Sequence, residues 1–209
     1  MVPEQEGGEP RSLPLYIVAL AASAGGLAAL STVLGDLPGD LPAAVVIVQH
    51  LDPRHESLMP QILGRRSRLC VKQAEDGEWL QAGTAYLAPP DRHLLVNGDG
   101  TLTLERSPRV HFLRPSADRL FESVAAAYGR WAVGVVLSGT GGDGSAGVRA
   151  IRDHGGVTVA QDPATAEYNG MPSAAVKTGC VDLVLALGEI APRLASLVSR
   201  DLPEQGGAE

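Results

Sequence analysis

Three runs of almost uninterrupted apolar residues, Leu15–Ala22, Ala43–Gln49 and Ala132–Leu137, constrain the fold of this chain more than any other feature. A strand with one wet face alternates polar and apolar residues. These runs do not, so each reads as a strand buried on both faces, the situation of inner strands in a helix-covered parallel sheet. What separates them agrees. Gly25-Gly26 and a helical stretch from Leu27 to Leu34, closed by Gly35 and Pro38, follow the first run. Residues 57–66 read as a helix after the second, and Val71–Ala74 as a short third strand. Strands alternating with helices are the pattern of a parallel α/β sheet.

The middle of the chain changes character. Thr84–Ala88 and His93–Val96 alternate around Pro89-Pro90, and Asn97-Gly98-Asp99-Gly100 marks a turn before Thr101–Leu104. That pattern predicts hairpin-like strands at the sheet edge. Pro115-Ser116 then opens a helix with the apolar face Leu120, Phe121, Val124 and Tyr128. After Ala132–Leu137 come the glycine-rich loop Ser138–Gly147, a helix to about His154, and a strand at Val157–Ala160. Pro172 and Gly179 frame a short helix, Val181–Leu185 is the last strand, and Ile190–Ser199 the last helix. The expected fold is a doubly wound, mostly parallel α/β sheet with helices on both faces and an antiparallel hairpin at one edge. It forms one domain over residues 15–199, with a flexible tail at 1–14 and a flexible acidic tail at 200–209.

A chain of 209 residues, 44% hydrophobic and 20% charged, can bury a sizeable core. Its longest apolar run, Leu15–Ala22, falls far short of the roughly 20 residues that cross a bilayer. The N-terminus lacks the features of a secretory signal, so a cytoplasmic protein with no membrane insertion is expected. Net charge is −7, but much of it lies at the two ends, and the body between them is close to neutral. Neither half carries the basic surplus that nucleic-acid binding requires. Cys70 and Cys180 form no CxxC pair and read as inert thiols in a reducing compartment.

Three polar residues occupy equivalent places on this scheme. Ser23 lies just beyond the first strand, His50 just beyond the second, and Asp143 in the loop after the strand ending at Leu137. Ligands of open parallel sheets bind outside the carboxyl ends of the strands, so the three could meet at one edge. They are also the types an acyl-transfer triad requires: imidazole takes the proton of an otherwise poor nucleophile, and the carboxylate fixes the imidazole tautomer. Ala21-Ala22-Ser23-Ala24-Gly25-Gly26 has the small residues of a tight strand-to-helix elbow, although it lacks the first glycine of G-x-S-x-G. A serine here also serves as a plain helix N-cap, a lone histidine as a hydrogen-bonded structural residue, and Asp143 as a turn or cap residue.

Two other chemistries compete. A phosphate suits a strand followed by Gly-Gly, but there is no G-x-G-x-x-G or G-K-S/T, and Gln49-His50 stands where a ribose-binding carboxylate is needed. A metal could draw on His50, Asp52 and His55, or on Asp91 and His93, yet neither set has H-E-x-x-H or zinc spacing. No metal is expected. The run Arg65-Arg66-Ser67-Arg68 reads as a solvated face rather than a docking patch.

Residues 15–199 resemble the catalytic domain of the chemotaxis protein-glutamate methylesterases, the CheB family. The resemblance lies in Ala22-Ser23-Ala24-Gly25-Gly26, Val48-Gln49-His50, Ala74-Glu75-Asp76-Gly77, Tyr86-Leu87-Ala88-Pro89 and Arg114-Pro115-Ser116-Ala117-Asp118. It continues through Gly134-Val135-Val136-Leu137-Ser138-Gly139, Asp143-Gly144, Gly170-Met171-Pro172 and Val181-Asp182. It implies hydrolysis of glutamate γ-methyl esters on the cytoplasmic helices of methyl-accepting chemoreceptors, with release of methanol, and in many members deamidation of receptor glutamines.

By resemblance, Ser23 is the nucleophile, His50 the base and Asp143 the orienting carboxylate, and no cofactor is expected. Ala24 and Thr140 stand where many members have a hydroxyl residue and a methionine; both positions are implied to give backbone N–H groups to the oxyanion. Family members typically carry an N-terminal receiver domain, whereas about 14 residues precede the first strand here. The expectation is a receiver-less member regulated by a protein acting in trans, or a fragment of a longer chain. A catalytically silent receptor-binding module, and an esterase for another protein or small ester, are the alternative readings.

Overall fold

A computed structural model describes residues 15–50 and 57–199; the tails, and residues 51–56 with Asp52 and His55, lie outside the described residues. In chain order the elements are β1 (Tyr16–Ala22), α1 (Gly26–Asp36), β2 (Ala43–Gln49), α2 (Met59–Gly64), β3 (Cys70–Gln73), β4 (Thr84–Leu87), β5 (His93–Val96) and β6 (Leu102–Glu105). Then follow α3 (Ala117–Tyr128), a 3-10 turn (Gly129–Trp131), β7 (Ala132–Val136), α4 (Ser145–Asp153), β8 (Val157–Gln161), α5 (Gly170–Lys177), β9 (Leu183–Leu185) and α6 (Leu187–Val198).

Seven strands form one sheet in the order β3-β4-β2-β1-β7-β8-β9, and every neighbouring pair is parallel. All residues of β1, β2 and β7 are buried, as their unbroken apolar character requires. Successive side chains of β1 enter opposite cores. Val18, Leu20 and Ala22 join Leu30, Val33 and Leu34 of α1 with Ile190 and Leu194 of α6. Ile17, Ala19 and Ala21 join Leu120, Phe121 and Val124 of α3, with Val148 and Ile151 of α4. The chain begins at the centre, builds out to β3, and returns past β1 to lay down β7, β8 and β9. The winding therefore reverses between β1 and β7, and the crevice at the carboxyl ends of that pair is where sheets of this kind bind ligands.

The middle of the chain departs from expectation in two respects. Thr84–Leu87, read with the hairpin, is an inner parallel strand between β2 and β3, with all four residues buried. Thr84 and Tyr86 mimic alternation, but the Tyr86 ring is buried, and its hydroxyl donates to Trp79 O and accepts from Gln81 N–H. The antiparallel hairpin is β5–β6 alone. It forms a separate two-stranded sheet against α3 rather than an added edge of the large sheet.

Candidate active site

Parallel pairing of β1 with β2 sets Ala22 opposite Gln49, so Ser23 and His50 leave neighbouring strands side by side. Adjacent strands lie about 4.8 Å apart, and the His50 N–H donates to Ala22 O at 3.1 Å. The chain then turns sharply. The Ser23 N–H donates to Ser138 O, and the Gly26 N–H returns to Ser23 O. Gly25 has φ of +71°, and a Cβ there would lie 2.7 Å from Ser138 Oγ. A Cβ on Gly26 would lie 2.0 Å from Gln49 Oε1. Both glycines are therefore required by the elbow itself. Ser23 does not cap α1: the N-cap is Gly25, which has no side chain to make a cap bond.

His50 Nε2 and Asp143 Oδ2 are 2.8 Å apart, with side chains 9% and 1% exposed. Nδ1 has no partner among the described residues, and no hydrogen bond joins it to the Ser23 hydroxyl. Asp143 is fastened by the start of α3. Its Oδ2 also accepts the Ala117 N–H at 2.6 Å, while Oδ1 accepts the Ser116 hydroxyl at 2.9 Å and the Asp118 N–H at 3.1 Å. A carboxylate from a distant loop thus satisfies the open N–H groups of a helix whose own N-cap, Ser116, makes no cap bond.

The arrangement is reciprocal. Asp118 Oδ1 accepts the N–H groups of Gly144 and Gly147 at the start of α4, the helix that follows Asp143. The two acids respond oppositely. Burial alone would raise Asp143, but hydrogen bonds from His50, Ala117 and Asp118 outweigh it and hold the carboxyl below its ordinary range. Asp118 is pushed up by burial and by the neighbouring Asp143 charge, against the pull of the Gly147 and Gly144 N–H groups. Asp143 is thus the acid held ionised beside the imidazole.

The backbone N–H groups of Ala24 and Thr140 donate to no group among the described residues. Both belong to loops that Ser138 ties together: its hydroxyl donates to Ala24 O at 2.9 Å and accepts the Tyr168 N–H at 3.0 Å. Three further contributors were not singled out from the sequence. Ser116 and Asp118 carry the only available signal, a Ser-x-Asp at a helix start, which suggests a local cap rather than a cradle for Asp143. Gln49 ends an apolar strand, and nothing marks its task. Its amide nitrogen donates to Ser23 O at 2.8 Å and to His50 O at 3.0 Å, clamping both residues at once. Its oxygen is buried and has no partner among the described residues.

Among the described residues no group of three His, Cys, Asp or Glu side chains could hold a metal ion. The His50–Asp52–His55 set lies partly outside them. Asp91 and His93 are committed elsewhere: Asp91 to Arg106 and Arg114, and His93 to Pro108 O and the Ser116 N–H. Cys70 and Cys180 are free thiols. Among the described residues no helix is long and apolar enough to cross a membrane.

The domain is thus a doubly wound α/β fold that sets the Ser23 elbow and the His50–Asp143 pair at its winding reversal. Residues 18–194 match the family model of the CheB methylesterase, and the chain belongs to that family. It is 43% identical over 91% of its length to protein-glutamate methylesterase/protein-glutamine glutaminase 1 of Cupriavidus pinatubonensis, covering 56% of that protein. It is 42% identical over 92% of its length to the corresponding protein 2 of Anaeromyxobacter dehalogenans, again covering 56%. The chain thus spans little more than half the length of these curated relatives. A relative from Leptospira interrogans is 38% identical over 90% of this chain and 97% of its own. The crystal structure of the Thermotoga maritima CheB methylesterase catalytic domain superposes with a TM-score of 0.84 at 34% identity, covering 87% of this chain and 98% of that one.

Proposed function

We propose that this chain is a cytoplasmic serine hydrolase acting on glutamate γ-methyl esters of chemoreceptor helices, with receptor glutamine amides as second substrates. The single observation that carries the reading is the buried His50–Asp143 contact of 2.8 Å beside the elbow that holds Ser23. With Asp143 ionised at Nε2–H, the imidazole keeps the tautomer whose Nδ1 lone pair can accept a proton. Ser23 Oγ attacks the ester carbonyl carbon as Nδ1 takes the hydroxyl proton. The Ala24 and Thr140 N–H groups, which donate to no group among the described residues, receive the oxyanion. Collapse breaks the bond to the methoxy oxygen, which leaves as methanol with the proton from Nδ1. Water, activated in turn by His50, cleaves the acyl-serine and frees the glutamate. For a glutamine the leaving group is ammonia.

The names of the curated relatives support both activities, and each half-reaction has its own readout. The test is methanol release from methylated receptor helices and ammonia release from receptors with glutamine at those positions, each compared with Ser23→Ala. Turnover should fall by orders of magnitude in Ser23→Ala and His50→Ala, and the two losses should not add, because such groups act as a unit. Thr140→Ala keeps its N–H and should stay near the parent. Equal methanol release by Ser23→Ala and the parent would sink the mechanism. A parent that binds receptor but never releases methanol would instead establish a silent receptor-binding module.

A further inference from the structure

The chain has two phenylalanines, and they meet opposite fates: Phe121 is fully buried, whereas Phe112 is 92% exposed. The next most exposed large apolar side chain among the described residues, Leu58, is 66% exposed. Phe112 is also held in an unusual backbone. Val110 and Leu113 exchange hydrogen bonds of 3.1 and 2.8 Å across a two-residue turn whose apex residues, His111 and Phe112, have φ of +49° and +66°. Such a turn ordinarily takes Asn-Gly, because side chains are disfavoured at positive φ.

The turn does not hang loose. His93, completely buried, donates from Nε2 to Pro108 O and accepts the Ser116 N–H at Nδ1, pinning both flanks. Asp91, itself at φ of +58°, binds Arg106 and takes Arg114 through Nε and Nη2, while Arg114 Nη1 reaches Ser107 O. All three positive-φ residues other than glycine among the described residues belong to this one brace. Backbone strain concentrated where a bare aromatic is held out marks a working surface.

Its surroundings say what it meets. Arg106, Arg109 and His111 are exposed around the turn; Arg106, Arg109 (at 3.9 Å) and Arg114 share the single acid Asp91, and residues 106–117 contain none, which leaves this face basic in a chain of net charge −7. Phe112 lies four residues before Ser116, whose hydroxyl holds Asp143, so it stands within roughly 14 Å of that point along the chain. That distance is about nine residues of helix.

We propose that the Arg106–Leu113 loop is a docking anchor for the substrate helix itself, Phe112 entering its apolar seam and Arg106 and Arg109 meeting its carboxylates. The proposal rests on the function proposed above, since a helix presenting rows of esterified glutamates gains negative charge with each ester removed. The test uses two probes, a methylated receptor helical fragment and N-acetyl-glutamate γ-methyl ester, which is too small to reach the loop. Phe112→Gly suits the left-handed backbone, so its melting temperature should equal or exceed the parent's. Its Kd for the fragment should rise tenfold or more, as for loss of an aromatic anchor, and Arg109→Glu should also weaken binding. Turnover of the small ester should stay within twofold of the parent in both.

A Kd within twofold of the parent for Phe112→Gly, or a parallel loss on the small ester, would overturn the anchor. The two proposals fail separately. Methanol release from the fragment with a Kd indifferent to Phe112 would sink the anchor and leave the esterase. Phe112-dependent binding without methanol release would do the reverse.

Discussion

Replacing Asp143 with Asn probes the site and the fold together, because the same carboxylate serves both. In the parent its two oxygens accept four hydrogen bonds, from His50, Ser116, Ala117 and Asp118. An amide offers only one oxygen. If that oxygen takes the Oδ2 place, the NH2 group faces the Asp118 N–H; if it takes the Oδ1 place, it faces the Ala117 N–H. The Ser116 hydroxyl and the imidazole can each turn to accept instead, but a backbone N–H cannot. One buried N–H is therefore left unpaired, at about 1–3 kcal/mol, and the negative charge at the start of α3 is lost, at about 0.3–1 kcal/mol and up to about 2 when partly buried. The sum is about 1–5 kcal/mol. At an m-value of about 2 kcal/mol/M the urea midpoint should fall by about 0.5–2.5 M.

The pH dependence gives this prediction a sign. Asp143 is held below its ordinary value of 3.8 in the folded chain, so its contribution is fully present above that value and fades as pH falls through the lowered one. The stability gap between parent and Asp143→Asn should thus be full at neutral pH and narrow only below pH 3.8, as pH falls through the lowered value. Turnover should fall by up to about 10⁴-fold, as in other triads where the amide imposes the wrong tautomer. Equal urea midpoints at neutral pH would refute the cradle, and a loss of turnover below tenfold would refute the orienting role.

Three further outcomes follow from the same contacts. Gln49→Leu removes the donor shared by the Ser23 and His50 carbonyls, and should cost about 1–2 kcal/mol in a urea titration together with about tenfold in kcat; an unchanged kcat would show that the clamp is irrelevant to turnover. Asp118→Ala orphans the Gly144 and Gly147 N–H groups and should lower stability by about 1–3 kcal/mol. Asp118→Asn keeps an acceptor for them. Because the folded Asp118 carboxyl is raised, the parent loses its contribution as pH rises through that value, so Asp118→Asn should gain on the parent from acid to neutral pH. Exhaustive chelation should leave methanol release unchanged, whereas a loss restored by added metal would revive the His50–Asp52–His55 alternative.

The strands that carry the site were legible in the sequence because burial on both faces leaves a signature every residue shares. β2 has the predicted bounds, and β1 and β7 differ from them by one residue. Ser23, His50 and Asp143 were picked out as candidates by the same route, Ser23 and His50 directly beyond their strands and Asp143 in the loop after a third. Amphipathic helices were legible too, although α6 begins three residues earlier than read, where the Glu189 carboxylate accepts the Ala186 N–H. Tertiary structure alone decided the rest. It set β4 inside the sheet, made Gln49 a clamp across two strand ends, and let Asp143 and Asp118 each serve the other's helix. Apart from the bond of Gln49 to its neighbour His50, those polar contacts join residues 25 to 93 positions apart, in loops and at strand and helix ends. Periodicity records which face of an element is buried; it carries no record of which distant carboxylate meets an open N–H, because that depends on where the completed sheet brings its ends together.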